Sequence, residues 1–315
     1  MAAPSVRRGA GRAAGGAGRD GGAADAGEDA TATCAVAVDG GTAACTTRIV
    51  SGNDNDIYCA LKADGRLNCW AADGLAFLFT PGGGYGWSDA IATAPPNLVQ
   101  LSMTNALSQA GVTSSLLCGV DSAGQGSCWG GQAKVMGQGL KAVILSEFGT
   151  CTLSVAGGVS CQPQVSGAPP ASRAWARILP SETLVAALDV NGAPYYPYQT
   201  FPAGTYVDIA ANDNQRVGAV RSDGTAVAIG PAGTSEKPGT FSRIAVDYSG
   251  RACAIDASGE VTCWAVDSSS SLPALTPPQG PFVQIAGAES TFCAVRTTGT
   301  TVCFGDHPIS IPAGW

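Results

Sequence analysis

Short apolar runs broken by a tight turn recur along the chain. In Cys253-Ala-Ile-Asp-Ala-Ser-Gly-Glu-Val-Thr-Cys263-Trp264 the pattern reads as a β-hairpin. Ala254 and Ile255 ascend, Asp256 to Glu260 turn, and Val261 and Thr262 return. Gly259 stands where a three-residue hairpin loop needs a left-handed backbone, which glycine adopts at little cost. If Asp256 pairs with Glu260, then Ile255 faces Val261, Ala254 faces Thr262, and Cys253 lies opposite Cys263, close enough to bridge.

The same frame appears seven times, with its first position at residues 59, 118, 151, 186, 218, 253 and 293. In each copy a glycine falls six positions on: Gly65, Gly124, Gly157, Gly192, Gly224, Gly259 and Gly299. Five copies carry cysteines at both ends. The copies starting at Ala186 and Gly218 have lost them and kept the glycine.

Upstream of each hairpin lies another short apolar strand: Arg48-Ile-Val, Leu98-Val-Gln-Leu, Ala142-Val-Ile-Leu, Ala176-Arg-Ile-Leu, Tyr206-Val-Asp-Ile, Ser242-Arg-Ile-Ala and Phe282-Val-Gln-Ile. Downstream come proline-marked segments such as Leu272-Pro-Ala-Leu and Pro308-Ile-Ser-Ile-Pro, candidates for an edge strand. No long helical period is present. The steps between anchors are 59, 33, 35, 32, 35 and 40 residues. Units of this size with up to four short strands predict an all-β, seven-bladed β-propeller. The long first step holds two insertions, 71–97 and 102–116.

An eighth hairpin, Cys34 to Cys45, has Gly40 in register but lacks the preceding strand. Two arrangements fit it. It completes the last blade and closes the ring, which is the preferred reading, or it is a degenerate extra blade. Residues 1–31 are Ala, Gly, Arg and Asp with almost nothing to bury and read as a disordered tail, leaving 32–315 as the propeller.

Twelve cysteines, an even number, sharpen this picture. Taken in order they pair as Cys34 with Cys45, Cys59 with Cys69, Cys118 with Cys128, Cys151 with Cys161, Cys253 with Cys263 and Cys293 with Cys303. Zinc sites use closer spacings, and His307 is the only histidine. Local hairpin disulfides imply an oxidising compartment, hence a secreted or cell-surface protein. The first twenty residues carry arginines but no apolar h-region, so no secretory signal is legible there. The expectation is that the natural start differs from the given one.

The chain is acidic, with a formal net charge of −7, and has four lysines. That balance argues against a nucleic-acid or anionic-membrane surface, because phosphate contacts need clustered Lys and Arg. No apolar run approaches the length of a membrane span. A monomer is expected.

The repeats resemble those of the regulator of chromosome condensation family. The likeness lies in Phe282-Val-Gln-Ile-Ala-Gly followed by Cys293-Ala-Val, and in Cys263-Trp264 after a Ser-Gly turn. It covers roughly residues 48–315 and is similar to the compact bacterial members, which include secreted β-lactamase inhibitory proteins. Cysteine-bearing versions occur in plant receptor-kinase ectodomains. The resemblance implies a seven-bladed propeller used as a protein-binding platform. The histidine that family repeats often place before the hairpin is absent from every copy. Neither nucleotide exchange nor β-lactamase inhibition carries over, because no residue here matches either activity.

Candidate chemistry is sparse. No catalytic residue, cofactor or metal ligand set stands out. His307 alone serves no nucleophile–histidine arrangement. Asp39, Asp64, Asp189, Asp223 and Asp256 sit at hairpin turns, where aspartate is expected for backbone bonding. Asn53-Asp-Asn-Asp56 and Asn212-Asp-Asn214 lack the calcium-loop pattern. The binding candidates are aromatic. Phe77, Phe79, Tyr85 and Trp87 cluster in the 71–97 insertion, and Tyr195, Tyr196, Tyr198 and Phe201 cluster in a cysteine-free repeat. Exposed Tyr and Trp on loops anchor partners; the alternative is that they pack on the core. The expected function is non-enzymatic protein binding through loops on one face. A carbohydrate-binding propeller, with aromatics stacking on sugars, is the alternative, and a hydrolase with two facing carboxylates in the central channel stands further behind.

Overall fold

The computed structural model describes residues 45–315 except 53–55, 73–78, 80–86, 104–115, 132, 147–148, 164–166, 182–184, 213–214, 267–271, 274 and 308. The predicted hairpin 34–45, apart from Cys45, and the predicted tail lie outside these residues.

The described residues form seven antiparallel sheets. The first holds β1 (Thr46–Ser51), β2 (Ile57–Lys62) and β3 (Leu67–Ala71), followed by a short helix, α1 (Trp87–Ala92). The second holds β4 (Leu98–Met103), β5 (Leu117–Asp121), β6 (Gly126–Trp129) and β7 (Lys134–Gly137). The third holds β8 (Leu140–Ser146), β9 (Gly149–Ser154) and β10 (Val159–Gln162), and the fourth β11 (Trp175–Pro180), β12 (Val185–Asp189) and β13 (Pro194–Tyr195). The fifth holds β14 (Tyr206–Ala211), β15 (Val217–Arg221), β16 (Ala226–Gly230) and β17 (Gly233–Lys237). The sixth holds β18 (Phe241–Val246), β19 (Arg251–Asp256) and β20 (Val261–Ala265), and the seventh β21 (Phe282–Gly287), β22 (Thr291–Arg296) and β23 (Thr301–Gly305).

The first strands touch in the order β1, β4, β8, β11, β14, β18, β21 and back to β1. That closed circle of innermost strands makes the molecule a seven-bladed β-propeller. A separate apolar cluster fills each gap between neighbouring blades. Ile144, Trp175 and Ile178 lie between blades three and four, Val217, Val227 and Tyr206 between four and five, and Tyr58, Val295 and Ala288 between seven and one. Each fully buried Leu, Ile or Val there contributes about 1.5–3 kcal/mol.

The hairpin register is as the sequence pattern implies. Ile255 faces Val261, Ala254 faces Thr262, and Cys253 faces Cys263. Ile255 and Val295 are buried, whereas Val261 and Val302 are half-buried. Five disulfides join directly opposed residues of neighbouring strands: 59–69, 118–128, 151–161, 253–263 and 293–303, with Cα atoms 4.0–4.1 Å apart. Cys45 is also disulfide-bonded. In the cysteine-free fifth blade Gly218 faces Ala228 instead. A Cβ on Gly218 would lie 2.9 Å from Ile244 of the next blade, so close packing takes the place of the cross-link.

Asp39 lies outside the described residues; the other turn aspartates accept backbone N–H groups, as expected. One oxygen of Asp256 accepts the N–H groups of Ser258 at 2.8 Å and Glu260 at 3.0 Å. Asp121 and Asp189 cap their turns in the same way.

The edge strands differ from expectation. Among the described residues only blades two and five have a fourth strand, and neither β7 nor β17 contains proline. Proline lacks the N–H that a ladder needs, and a solvent-facing edge favours polar residues such as Lys134, Glu236 and Lys237. The proline-marked C-terminal segment instead crosses to the first blade. There Ile309 forms a bridge with Ala72, Trp315 packs on Trp70 with ring centroids 6.5 Å apart, and Lys62 donates to the carbonyl of Gly314.

Candidate binding surfaces

The tyrosine-rich loop follows the two-residue β13, where blades one, two, three, six and seven carry a cystine and a longer third strand. Residues 194–204, with Gly167, line one shallow pocket, so the predicted cluster is brought together. Its members play different parts. Tyr196 is buried, and its hydroxyl lies 3.2 Å from Ser181 Oγ and 3.0 Å from the Asn212 carbonyl. Tyr195 packs edge-on against Trp175 at 5.7 Å and donates to the Gly167 carbonyl at 3.3 Å. Burial pushes the Tyr195 hydroxyl pKa up, with Tyr198 adding to the effect. Phe201 packs on Tyr206 at 5.7 Å. Tyr198 alone points outward, with 82% of its surface exposed and a φ of 66°. Gln199 donates to the Gln215 carbonyl at 3.2 Å. Asn212 and Gln215 belong to the loop joining β14 to β15, so Tyr198 sits toward the face bearing such loops.

The aromatics of the 71–97 insertion are placed otherwise. Phe77 and Tyr85 lie outside the described residues. Trp87 is fully buried at the start of α1, edge-on to the half-buried Phe79 at 5.8 Å. Its ring is part of the core between blades one and two, so Trp87 is not available to a partner, contrary to its reading as an exposed loop anchor. The helix is held there because Trp129 Nε1 donates to the Ala90 carbonyl at 2.9 Å.

A second feature escaped the sequence reading. Every innermost strand carries a register shift against its neighbour: at Thr46/Arg48, Leu98/Gln100, Leu140/Ala142, Trp175/Arg177, Tyr206/Asp208, Phe241/Arg243 and Phe282/Gln284. A bulge re-aims the side chain beside it. The residues after the seven shifts line the central channel, six of them polar. Most clasp the next blade. Arg48 Nε donates to the Val99 carbonyl at 2.6 Å, Gln100 exchanges two bonds with the backbone of Val143 at 3.1 and 3.2 Å, and Gln284 donates to the Thr47 carbonyl. Arg177 pairs with Asp208, whose other oxygen accepts from Ile244 N at 2.9 Å. Asp208 is the only carboxylate among the lining residues. No group of three metal-ligating side chains occurs among the described residues.

Comparison with solved structures finds propellers. The CRINKLY WD40 ectodomain of the Arabidopsis thaliana receptor kinase ACR4 is 16% identical, with a TM-score of 0.55, and the match covers 83% of this chain and 96% of that one. The likeness establishes the fold. The ectodomain of the Physcomitrella patens receptor kinase CR4 is 18% identical over 86% of this chain and 76% of that one, also with a TM-score of 0.55. The β-propeller domain of Myceliophteria thermophila Cps50 (Swd1) is 10% identical over 84% and 98%, with a TM-score of 0.54. No protein-family model matches the sequence, and comparison with curated proteins finds no match. The propeller architecture is thus the one implied by the resemblance to regulator of chromosome condensation repeats.

Proposed function

We propose that this propeller is a non-enzymatic platform that grips a protein partner through loops on one face, with Tyr198 as an anchor. The observation that carries the reading is the contrast within one loop. Tyr195, Tyr196 and Phe201 are spent on bracing it, and a single large ring is left outward. A pre-braced aromatic loses little freedom on binding, which favours its use as an anchor. The channel supports this reading over paired-carboxylate hydrolysis, because Asp208 stands without a second carboxylate among the lining residues and is bonded to Arg177 and Ile244. The carbohydrate-binding alternative draws on the same ring, stacked on a sugar with Gln199 beside it. Five disulfides suit an oxidising milieu, so we place the protein outside the cell or on its surface. No helix among the described residues is long and apolar enough to cross a membrane.

The test is capture by the oxidised protein, followed by identification of what is retained. Tyr198→Ala should weaken retention of the partner by about 5–30-fold, the effect of losing roughly 1–2 kcal/mol, and leave the melting temperature unchanged. Undiminished capture would remove Tyr198 from the site. Retention of glycans on an array, lost in the same variant, would move the assignment to carbohydrate.

A further inference from the structure

We propose that the mouth of the central channel binds the carboxylate of an acidic side chain presented by a peptide, with Arg243 as its main ligand. This site lies beyond the Tyr198 surface and does not depend on it. The re-aimed residues sit near the beginnings of the innermost strands, at the end where the glycine hairpin turns lie. Tyr198 sits toward the opposite face.

Arg243 breaks the rule that its equivalents obey. Arg48, Gln100, Arg177, Asp208 and Gln284 all reach into the following blade. Among the described residues the one hydrogen bond of the Arg243 side chain, 2.9 Å long, goes to the carbonyl of Ser242 in its own strand. A guanidinium has five N–H donors, so the remainder of this one is left for an acceptor from outside. The position is half-buried on the wall of the channel. A cation there, partly removed from water and lacking a counter-ion among the described residues, is costly until an anion arrives.

Charge at the mouth favours such a ligand. Arg48, Arg177 and Arg243 stand against the single carboxylate of Asp208, which Arg177 already occupies. The mouth is therefore positive on a chain whose formal net charge is −7. The half-buried Ile285 lines the same channel and adds an aliphatic surface to it. A carboxylate on a methylene stem fits both parts. A hydrated inorganic anion would use only the arginines.

The probe is a fluorescently labelled peptide of alternating Glu and Gly, measured by anisotropy at low ionic strength against its Gln–Gly counterpart, with inorganic phosphate as competitor. The Glu peptide should bind at least about tenfold more tightly than the Gln peptide, and added salt should weaken it. Arg243→Gln should lower Glu-peptide affinity about tenfold or more with no change in melting temperature, since it breaks no bond between blades. Arg243→Lys, which keeps the charge but not the fork, should fall between. Tyr198→Ala should leave peptide binding intact. Equal binding of the two peptides, or undiminished binding by both Arg243 variants, would overturn the proposal. So would phosphate binding more tightly than the peptide, which would make this a site for free anions.

Discussion

The backbone N–H of Thr46, the first residue of β1, donates to the carbonyl of Gly299 in the last hairpin at 3.1 Å. The same bond joins Leu140 to Gly124, Trp175 to Gly157, Tyr206 to Gly192, Phe241 to Gly224 and Phe282 to Gly259, at 2.8–3.0 Å. Six of the seven hairpins thus offer their glycine carbonyl to the start of the next blade, and the bond from Thr46 repeats that step where the end of the ring meets its beginning. The glycines do two things at once. All seven have φ between +77° and +87°, as the turn requires, and most leave no room for a side chain against the next blade.

These two roles separate on substitution. A Cβ at Gly259 would lie 2.7 Å from Pro281 Cβ and 2.9 Å from Phe282 N, whereas at Gly124 the nearest atom is 3.5 Å away. Gly124→Ala should therefore cost only the backbone strain, about 1–2 kcal/mol. Gly259→Ala should cost that and about 1–3 kcal/mol more for displacing the neighbouring blade. Urea unfolding of the two variants measures the difference. Equal losses would show that the glycine register serves the turn alone.

Reduction should lower the melting temperature and leave the far-ultraviolet β signal in place. Each hairpin disulfide closes a loop of ten residues, worth about 2.7 kcal/mol in the chain-entropy account. Blades four and five hold together without one. Arg173 pairs with Asp189 at 2.6 Å in the fourth, and in the fifth Arg221 pairs with Glu236 at 2.8 Å across an added strand. Collapse of all β structure on reduction would mean that packing between blades does not carry the fold. Free thiols after non-reducing digestion would refute the pairing itself.

The hairpin unit was legible because strand pairing has a period of two, so one glycine and two cysteines set the whole register of Cys253 to Cys263. The channel residues were equally present. Arg48-Ile, Gln100-Leu, Arg177-Ile, Asp208-Ile, Arg243-Ile and Gln284-Ile place a polar residue before an aliphatic one in six of seven copies. In sequence these runs read simply as short apolar strands, and only the bulge turns that position to the axis. Trp87 misled because a six-residue helix is too short to show a period, and its glycine-rich approach resembles an exposed loop. For the tyrosine cluster, proximity was readable but orientation was not. Which ring is buried depends on the carbonyl of Asn212 in the next blade, sixteen residues from Tyr196.

Asp247 should give the protein an unusual stability profile. Burial pushes its pKa up to about 7, against the lowering effects of the Gly250 and Arg251 N–H groups and the Arg251 guanidinium. Oδ1 takes both N–H bonds, at 2.7 and 2.6 Å, and Oδ2 lies 3.7 Å from Arg251 Nη1 without a hydrogen bond. Because the folded pKa exceeds the ordinary 3.8, folding takes up a proton between these values. The stabilisation is full below about pH 4 and is lost as pH rises through about 7, a fall on the order of a few kcal/mol. Asp189 and Asp256 act in the opposite sense. At Asp189 burial opposes ionisation, but the Arg173 bond and two backbone N–H groups outweigh it; at Asp256 the Ser258 hydroxyl leads. Their depressed pKa values give stability that is present above about pH 4 and lost as pH falls further. Unfolding free energy should therefore peak in mildly acid solution and decline toward neutrality. Asp247→Asn keeps an acceptor for both N–H groups and stays neutral, so it should flatten the decline between pH 4 and 7 and match or exceed the parent near pH 7.5. Denaturant melts of both proteins across that range decide it: an unchanged slope in the variant would mean that Asp247 stays ionised in the fold, held so by Arg251.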